Sequence, residues 1–325
     1  MTAAPLVTVI IVNFNGGEMV LACLRALRTQ TFQDFVTVVV DNNSTDDSAD
    51  AIEREDPGVV VYRLQSNTGF AGGVNHALRE RELGSWVALL NPDAYPDATW
   101  LQELVTHAER NPAFASFGSK MFSDLEREHL DGVGDTYHVS GLPRRRGHGQ
   151  RDVGQFDGNA EIFGPCAAAG LYSTGALSAV CDDDGCVLDE DFFCYVEDVD
   201  LAFRLRLAGY RSMYVSSALV QHVGSGVVGK HSNFQLYHGH RNLVWAYVKN
   251  MPGALFWIML PLHVALNVFT ILWYSMRGKG QPVIQAKRDA MAGMAQCLKK
   301  RRHIQATRQV SVFEVLRQLN WLPSR

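Results

Sequence analysis

The chain has 325 residues, 47% hydrophobic and 20% charged, with 28 Gly and 11 Pro. That is a globular composition, and it excludes disordered, collagen-like and disulfide-scaffold classes. The net charge of −4 hides an asymmetry: residues 241–325 hold 13 Lys and Arg against two acids, Asp289 and Glu314, whereas residues 1–240 hold 17 against 32. An acidic body therefore carries a basic tail, which points to an anionic partner for the tail, a membrane or a nucleic acid.

The length allows one large domain or two modest ones. Met1 to Leu6 has no basic region and runs straight into an apolar stretch, which reads as lacking a secretory leader. Val7–Phe14 is almost continuously apolar and β-branched, the pattern of a parallel strand covered on both faces. Glu18–Gln30 has helical spacing, with Cys23, Leu24 and Leu27 on one face. Phe35–Val40 reads as a second buried strand ending at Asp41, and Ser44 as the N-cap of a helix through Glu53. Val59–Leu64 is a third strand, Gly69–Gly73 a flexible loop, and Val74–Arg81 a helix. Trp86–Leu90 is a fourth strand ending in Asn91-Pro92-Asp93, followed by a helix over Asp97–Arg110 and a strand over Phe114–Met121. Strand and helix alternate four times, which predicts an α/β domain with a mainly parallel sheet.

Residues 122–165 are rich in Gly, Asp, Arg and His and include Arg144-Arg145-Arg146, so we expect a long functional loop or small subdomain over the sheet. Helical pattern returns after Glu197, and Tyr210–His222 is strand-like. Gly253–Met276 has no formally charged residue over 24 positions, long enough to cross a bilayer. Pro261 interrupts it, and His263, Asn267, Thr270 and Tyr274 form a narrow polar stripe on one helical face. We read a kinked pair of helices lying in an interface or docked on the body, in preference to a span. Lys299-Lys300-Arg301-Arg302 beside it suits either solvent or anionic lipid headgroups.

The six cysteines are scattered in mostly apolar contexts and read as reduced thiols. Cys181 and Cys186 flank a turn and could face each other across a hairpin. Ligands of an α/β sheet bind outside the carboxyl ends of its strands, where Asp41 and Asp93 fall. Thr68–Gly73 lacks the spacing of a dinucleotide fingerprint, and no P-loop is present. Glu190, Asp191, Glu197, Asp198 and Asp200 are interleaved with Phe192, Phe193 and Tyr195. Crowded carboxylates raise one another's pKa, which suits a general base. The plain alternatives are a surface Asp200–Arg204 ion pair and capping of a helix start by Glu197 and Asp198.

VIIVNFN at Val9–Asn15, DNNSTD at Asp41–Asp46, NTGFA at Asn67–Ala71, NPD at Asn91–Asp93, FCYVEDVD at Phe193–Asp200 and His222 occur in the order found in family 2 glycosyltransferases, which the chain resembles over roughly residues 5–250. With YHGHRN at Tyr237–Asn242, it looks most like bacterial rhamnosyltransferases of cell-wall and surface-polysaccharide assembly. The resemblance implies the GT-A fold in residues 1–240, with 241–325 a basic, apolar-helix region that associates with a membrane surface through residues 252–302.

The resemblance also implies an inverting transferase, with dTDP-L-rhamnose as donor and a polyprenyl-diphosphate-linked or polysaccharide acceptor, at the cytoplasmic face of the bacterial plasma membrane. A UDP-sugar donor and a non-catalytic nucleotide-sugar scaffold are the alternatives; a hydrolase is more distant. Nucleic acid is not an expected partner. Asn13, Asp41, Asn67, Gly69, Asn91 and Asp93 would bind the sugar nucleotide, Asp41 through the pyrimidine base. Asp93 and His222 would hold Mg2+ or Mn2+. Asn91 stands where the family's Asp-x-Asp motif has its first acid. Asp198 would be the base, with Glu197 and Asp200 shaping its surroundings. Arg144, Arg145, Arg146 and Arg151 would meet the acceptor's diphosphate, because guanidinium forks match phosphate oxygens.

Overall fold

The computed structural model describes residues 5–224 and 232–321; residues 1–4 of the amino-terminal segment read above lie outside them. Twelve strands are present among the described residues: β1 Val7–Asn13, β2 Phe35–Asp41, β3 Val60–Arg63, β4 Trp86–Leu90, β5 Ala94–Pro96, β6 Phe114–Phe122, β7 Leu130–Gly132, β8 Asp135–Tyr137, β9 Pro143–Arg145, β10 Ala160–Ile162, β11 Ala169–Ser173 and β12 Arg211–His222. The helices are α1 Gly17–Arg28, α2 Ser48–Glu55, α3 Gly69–Glu80, α4 Trp100–Arg110, α5 Thr174–Ala179, α6 Glu197–Leu207, α7 Asn233–Asn250, α8 Gly253–Met276, α9 Gly280–Ala292, α10 Met294–Ala306 and α11 Val312–Gln318.

Ten strands form one sheet whose main path runs β10-β12-β6-β11-β4-β1-β2-β3, with β5 on β12 and β7 on β6. The parallel reading holds for β3-β2-β1-β4 and for β6 with β12. Strand β11 runs against both its neighbours, β4 and β6, so β4, β6 and β12 share one direction. The two faces of β1 show why its sequence is mostly apolar. Val7, Val9 and Ile11 pack with α1, α2 and α4, while Ile10 and Val12 pack with α3, α5 and α6. A strand covered on both faces favours apolar side chains, and the buried exception within it, Thr8, accepts from the Gly84 N–H.

A further core joins the outer face of α6 (Val199, Phe203, Leu207) to Tyr137, Phe163 and helices α7 to α11. Two element readings change. Ser44 does not cap a helix; α2 starts at Ser48 after Asp47, and the Ser44 hydroxyl is taken by Asp41 instead. Gly69–Gly73 is the first turn of α3 rather than a loop. Its glycines serve close packing: a Cβ at Gly73 would press on Val12, and one at Gly69 would collide with the Phe193 carbonyl. Residues 122–165 contain four short strands: β7 pairs with β6, β10 adds to β12 at the end of the main sheet, and β8 and β9 form a separate two-stranded sheet.

Helix α8 is one helix, not two. Pro261 removes the hydrogen bond to the Trp257 carbonyl, but both residues lie on the exposed side of the helix. The polar stripe faces the body. His263 Nδ1 donates to the Ser140 carbonyl at 2.8 Å and its ring stacks on Tyr247 at 4.0 Å. Burial pushes that imidazole down to about 4, so it is neutral. Asn267 donates to the His263 carbonyl and Tyr274 packs edge-on against His240. The opposite side exposes Trp257, Ile258, Leu262, Phe269, Leu272 and Met276.

Candidate active site

The carboxyl ends of β1, β2, β4 and β12 open on the same edge of the sheet, and the predicted residues gather there. Register places Asn13 opposite Asp41. Asn13 Nδ2 donates to Asp41 Oδ1 at 2.8 Å and to Ser48 Oγ at 2.8 Å. Ser44 donates to the same carboxylate through both N–H and hydroxyl. Asp41 is thus a buried acceptor at the end of β2, and the buried Asn13 Oδ1 has no hydrogen-bond partner among the described residues. Next to it, Asn42 receives the Thr68 N–H at 2.8 Å and donates to the Gly69 carbonyl at 2.9 Å, while Asn67 accepts from the Gly69 N–H. Asn42 therefore clamps the turn that opens α3, a role not assigned from sequence.

The Asn91–Asp93 turn follows β4. Strand β5 pairs antiparallel with the end of β12, which sets His222 opposite Ala94. His222 Nε2 then lies 3.4 Å from Asp93 Oδ1 and 3.4 Å from Asn91 Nδ2. On its other side, His222 Nδ1 meets Asp131 Oδ2 at 2.8 Å. Asp131 also binds Arg145 Nη1 at 2.5 Å, and its backbone carbonyl accepts from His148 at 2.7 Å. Burial opposes charge on Asp131, but its bonds to His148 and His222 and the Arg145 cation hold the carboxyl well below its ordinary range. Burial likewise opposes charge on His222, yet Asp131 and Asp93 together raise it to about 9.

The residues before α6 adopt an unusual backbone. Phe193, Tyr195 and Val196 all have positive φ, at 64, 66 and 71°, a costly region for side chains with a Cβ and most costly for β-branched Val196. Surrounding bonds hold the strained turn. Asn242 Nδ2 lies 2.7–2.9 Å from the carbonyls of Phe192, Cys194 and Tyr195, and Ala71 N–H donates to the Phe193 carbonyl. Gly69, at φ +73°, has no Cβ to obstruct that approach. The turn delivers Asp198 into the first turn of α6. There its carboxylate accepts from Val199 N–H at 2.8 Å and Ala167 N–H at 3.1 Å. Ala168, next along, accepts from Asn91 N–H, so Asp198 and the Asn91–Asp93 turn share one short backbone link.

The three acids of this segment differ in environment. Asp198 is half-buried. Glu197 is buried, and its Oε2 has no hydrogen-bond partner among the described residues; burial, and then the Asp198 charge, push its carboxyl well above its ordinary range. Asp200 is fully buried between Arg204, Lys249 and Asn250. The Asp200–Arg204 pair exists, but in the core and not on a helix surface. Asp135, unassigned from sequence, is buried as well; desolvation and then Asp198 raise its carboxyl.

The four arginines read as one group separate. Arg145 turns inward to Asp131 and Cys166. Arg146 lies 4.8 Å over the Phe156 ring, Arg151 reaches Glu128 at 3.5 Å, and Arg144 is exposed. All six cysteines are free thiols; Cys181 bonds the Ser178 carbonyl and Cys186 meets Arg79. Among the described residues, no cluster of three or more His, Cys, Asp and Glu side chains is arranged to hold a metal ion.

Residues 8–181 match the family model described as glycosyl transferase family 2. The chain belongs to that family. Similar curated proteins include an N-acetylglucosaminyl-diphospho-decaprenol L-rhamnosyltransferase of Mycobacterium tuberculosis, 24% identical over 72% of this chain and 81% of that one. Another is an Escherichia coli glucosyltransferase, WfaP, described as acting on UDP-Glc and α-D-GlcNAc-diphosphoundecaprenol. It is 27% identical over 35% of this chain and 45% of its own. Among solved structures, a Pyrobaculum calidifontis mannosyltransferase in complex with GDP-Man and Mn2+ superposes with a TM-score of 0.56, covering 97% of this chain and 87% of that one at 17% identity. The family 2 chain is thus a glycosyltransferase of GT-A type that resembles cell-wall rhamnosyltransferases.

Proposed function

We propose that this glycosyltransferase moves L-rhamnose from dTDP-L-rhamnose to a GlcNAc carried on a polyprenyl diphosphate, with inversion, in bacterial envelope glycan synthesis. The rhamnosyltransferase relative supports donor and acceptor, and the WfaP relative supports a lipid-linked GlcNAc acceptor. The observation that carries the reading is the convergence of Asp41, Asp93, His222 and Asp198 at one sheet edge.

In this reading Asp41 and Asn13 receive the pyrimidine base, and Asn67 and Gly69 bound the nucleotide at the start of α3. Asp93 Oδ1 and His222 Nε2, 3.4 Å apart, suit a shared divalent cation: ligands about 2.1 Å from one octahedral ion lie about 3 Å from each other. Two protein ligands leave most of the shell to water and the donor's phosphates, the habit of Mg2+ and of Mn2+ in phosphate sites. Held by Asp93 and His222, such a cation would supply neutralisation of charge on the leaving diphosphate. Asp198 takes the proton of the acceptor hydroxyl as that oxygen attacks the anomeric carbon from the face opposite the nucleotide. One displacement needs one carboxylate base, and burial pushes the neighbouring Glu197 carboxyl well above its ordinary range. Arg144 and Arg151, exposed in the 122–165 segment, are the members of the arginine group that would meet the acceptor's diphosphate.

Purified protein with Mn2+, dTDP-L-rhamnose and a synthetic polyprenyl-diphosphate GlcNAc should release dTDP, and EDTA should abolish release. Undiminished turnover in EDTA would overturn the roles of Asp93 and His222. Turnover with UDP-glucose alone would move the donor to a UDP-sugar. Tight nucleotide binding without turnover of either donor would favour a scaffold.

Such an acceptor lies in a membrane, and α8 is long and apolar enough to cross one. Two residues of its polar stripe, His263 and Tyr274, contact the body, which favours a helix lying in the cytoplasmic face of the plasma membrane. Trp257 and Trp273 are 16 residues apart, about 24 Å along a helix. With brominated lipids, the quenching each loses on replacement by Phe should report the same shallow depth. Depths in opposite leaflets would require a span. High salt should release the protein from anionic vesicles.

A further inference from the structure

We propose that Asp131 is a positioning residue for the metal site: it takes the Nδ1–H of His222 and so turns the Nε2 lone pair toward Asp93. The inference rests on the metal reading above. Asp131 comes from β7, far in sequence from both Asp93 and His222, and pairing of β7 with β6 brings it to the sheet edge.

The geometry is specific. Asp131 Oδ2 stands 2.8 Å from His222 Nδ1, while Nε2 faces Asp93 Oδ1 on the opposite side of the ring. A carboxylate paired with an arginine accepts hydrogen bonds and does not donate them, so Nδ1 keeps its proton; a proton on Nε2, which faces Asp93, is the one a cation would displace, and Nε2 is the nitrogen that would ligate. A histidine ligand is commonly oriented by a carboxylate on its other nitrogen, and loss of that partner typically weakens metal binding 10- to 100-fold.

Two further features show that Asp131 is itself held. Arg145 Nη1 binds the same Oδ2 at 2.5 Å, and the neighbouring residue is Gly132, where a Cβ would collide with the Arg145 side chain. The arginine can reach the carboxylate because position 132 has no side chain. One arginine of the 144–146 run thus supports the metal ligand in place of meeting substrate.

The test is Mn2+ binding to the intact protein in the presence of dTDP, followed by the EPR signal of free Mn2+, with dTDP affinity in EDTA as the fold control. Asp131→Ala should weaken Mn2+ binding 10- to 100-fold and leave metal-free dTDP binding within twofold. Asp131→Asn, whose amide oxygen can still accept from Nδ1–H, should lose less. In a His222→Ala background, Asp131→Ala should add no further loss.

Wild-type Mn2+ affinity in Asp131→Ala, alongside loss in His222→Ala, would overturn this role while leaving the metal site standing. Equal further loss in the His222→Ala background would overturn it too, by showing an effect independent of the histidine. No loss in His222→Ala would overturn the metal reading and this inference with it.

Discussion

Asp198→Asn is expected to lower kcat for sugar transfer by about 10²–10⁴-fold, the usual worth of a positioned general base, with dTDP affinity unchanged. The substitution keeps the size of the side chain. An amide oxygen can still accept from Ala167 N–H or Val199 N–H, the two bonds that hold the carboxylate now. Only the capacity to take a proton is lost.

The neighbouring acids are poorly placed to substitute. Glu197 is buried and raised by that burial, Asp135 is buried and raised, and Asp200 is committed to Lys249, Arg204 and Asn250. Steady-state kinetics with dTDP-L-rhamnose, beside calorimetric dTDP binding, separates the outcomes. A kcat within tenfold of wild type would reassign the base. A matching collapse of dTDP binding would mean that the residue serves the donor pocket.

Much of this site was legible in the sequence because the residues concerned end strands. Asn13, Asp41 and Asn91 to Asp93 each follow an apolar, β-branched run, and such runs mark their own carboxyl ends. The strand end at His222 was equally visible. Its partners were not: pairing with Asp93 depends on the short strand β5, and pairing with Asp131 on β7, each of three residues. Strands that short carry no periodicity.

The glycine run misled for a related reason. Gly69, Gly72 and Gly73 look like flexibility, but each lacks a Cβ where another side chain or a carbonyl already stands, which only the assembled fold reveals. The arginine run misled because charge in sequence does not show direction. Arg145 points into the molecule to a buried acid, and Arg144 does not. The polar stripe on α8 was read correctly as a face, and the structure decides which way it points: inward to Ser140, Tyr247 and His240.

The charge asymmetry between body and tail also closes partly on itself, and that closure is testable. Lys249 of α7 is buried between Asp189 and Asp200, and Lys300 of α10 pairs with Asp189 and Asp191. Tail cations thus neutralise body acids around the turn that precedes α6. Lys249→Met keeps an apolar stem of similar length but leaves Asp189 and Asp200 short of a buried cation. Breaking a buried pair in this way costs about 3–5 kcal/mol, which for a chain of 325 residues corresponds to a Tm lower by roughly 4–7 °C.

The effect should depend on pH in a defined direction. Burial opposes charge on Asp200, but Lys249 and Arg204 hold its folded pKa below the unfolded value near 4; for Asp189, Lys249 and Lys300 do the same against burial. The stability these acids contribute is therefore complete above about pH 4 and is lost as pH falls through their folded values. In Lys249→Met the stranded carboxyls regain neutrality by taking protons. The Tm difference between variant and wild type should then be largest near pH 7 and shrink below about pH 4. A Tm within 2 °C of wild type at pH 7, or a difference that does not change with acid, would mean that Lys249 is not bound to these carboxylates in solution. Because the network joins α6 to α7 and α10, a lower Tm should come with lower kcat at temperatures well below unfolding, as the turn that positions Asp198 loosens first.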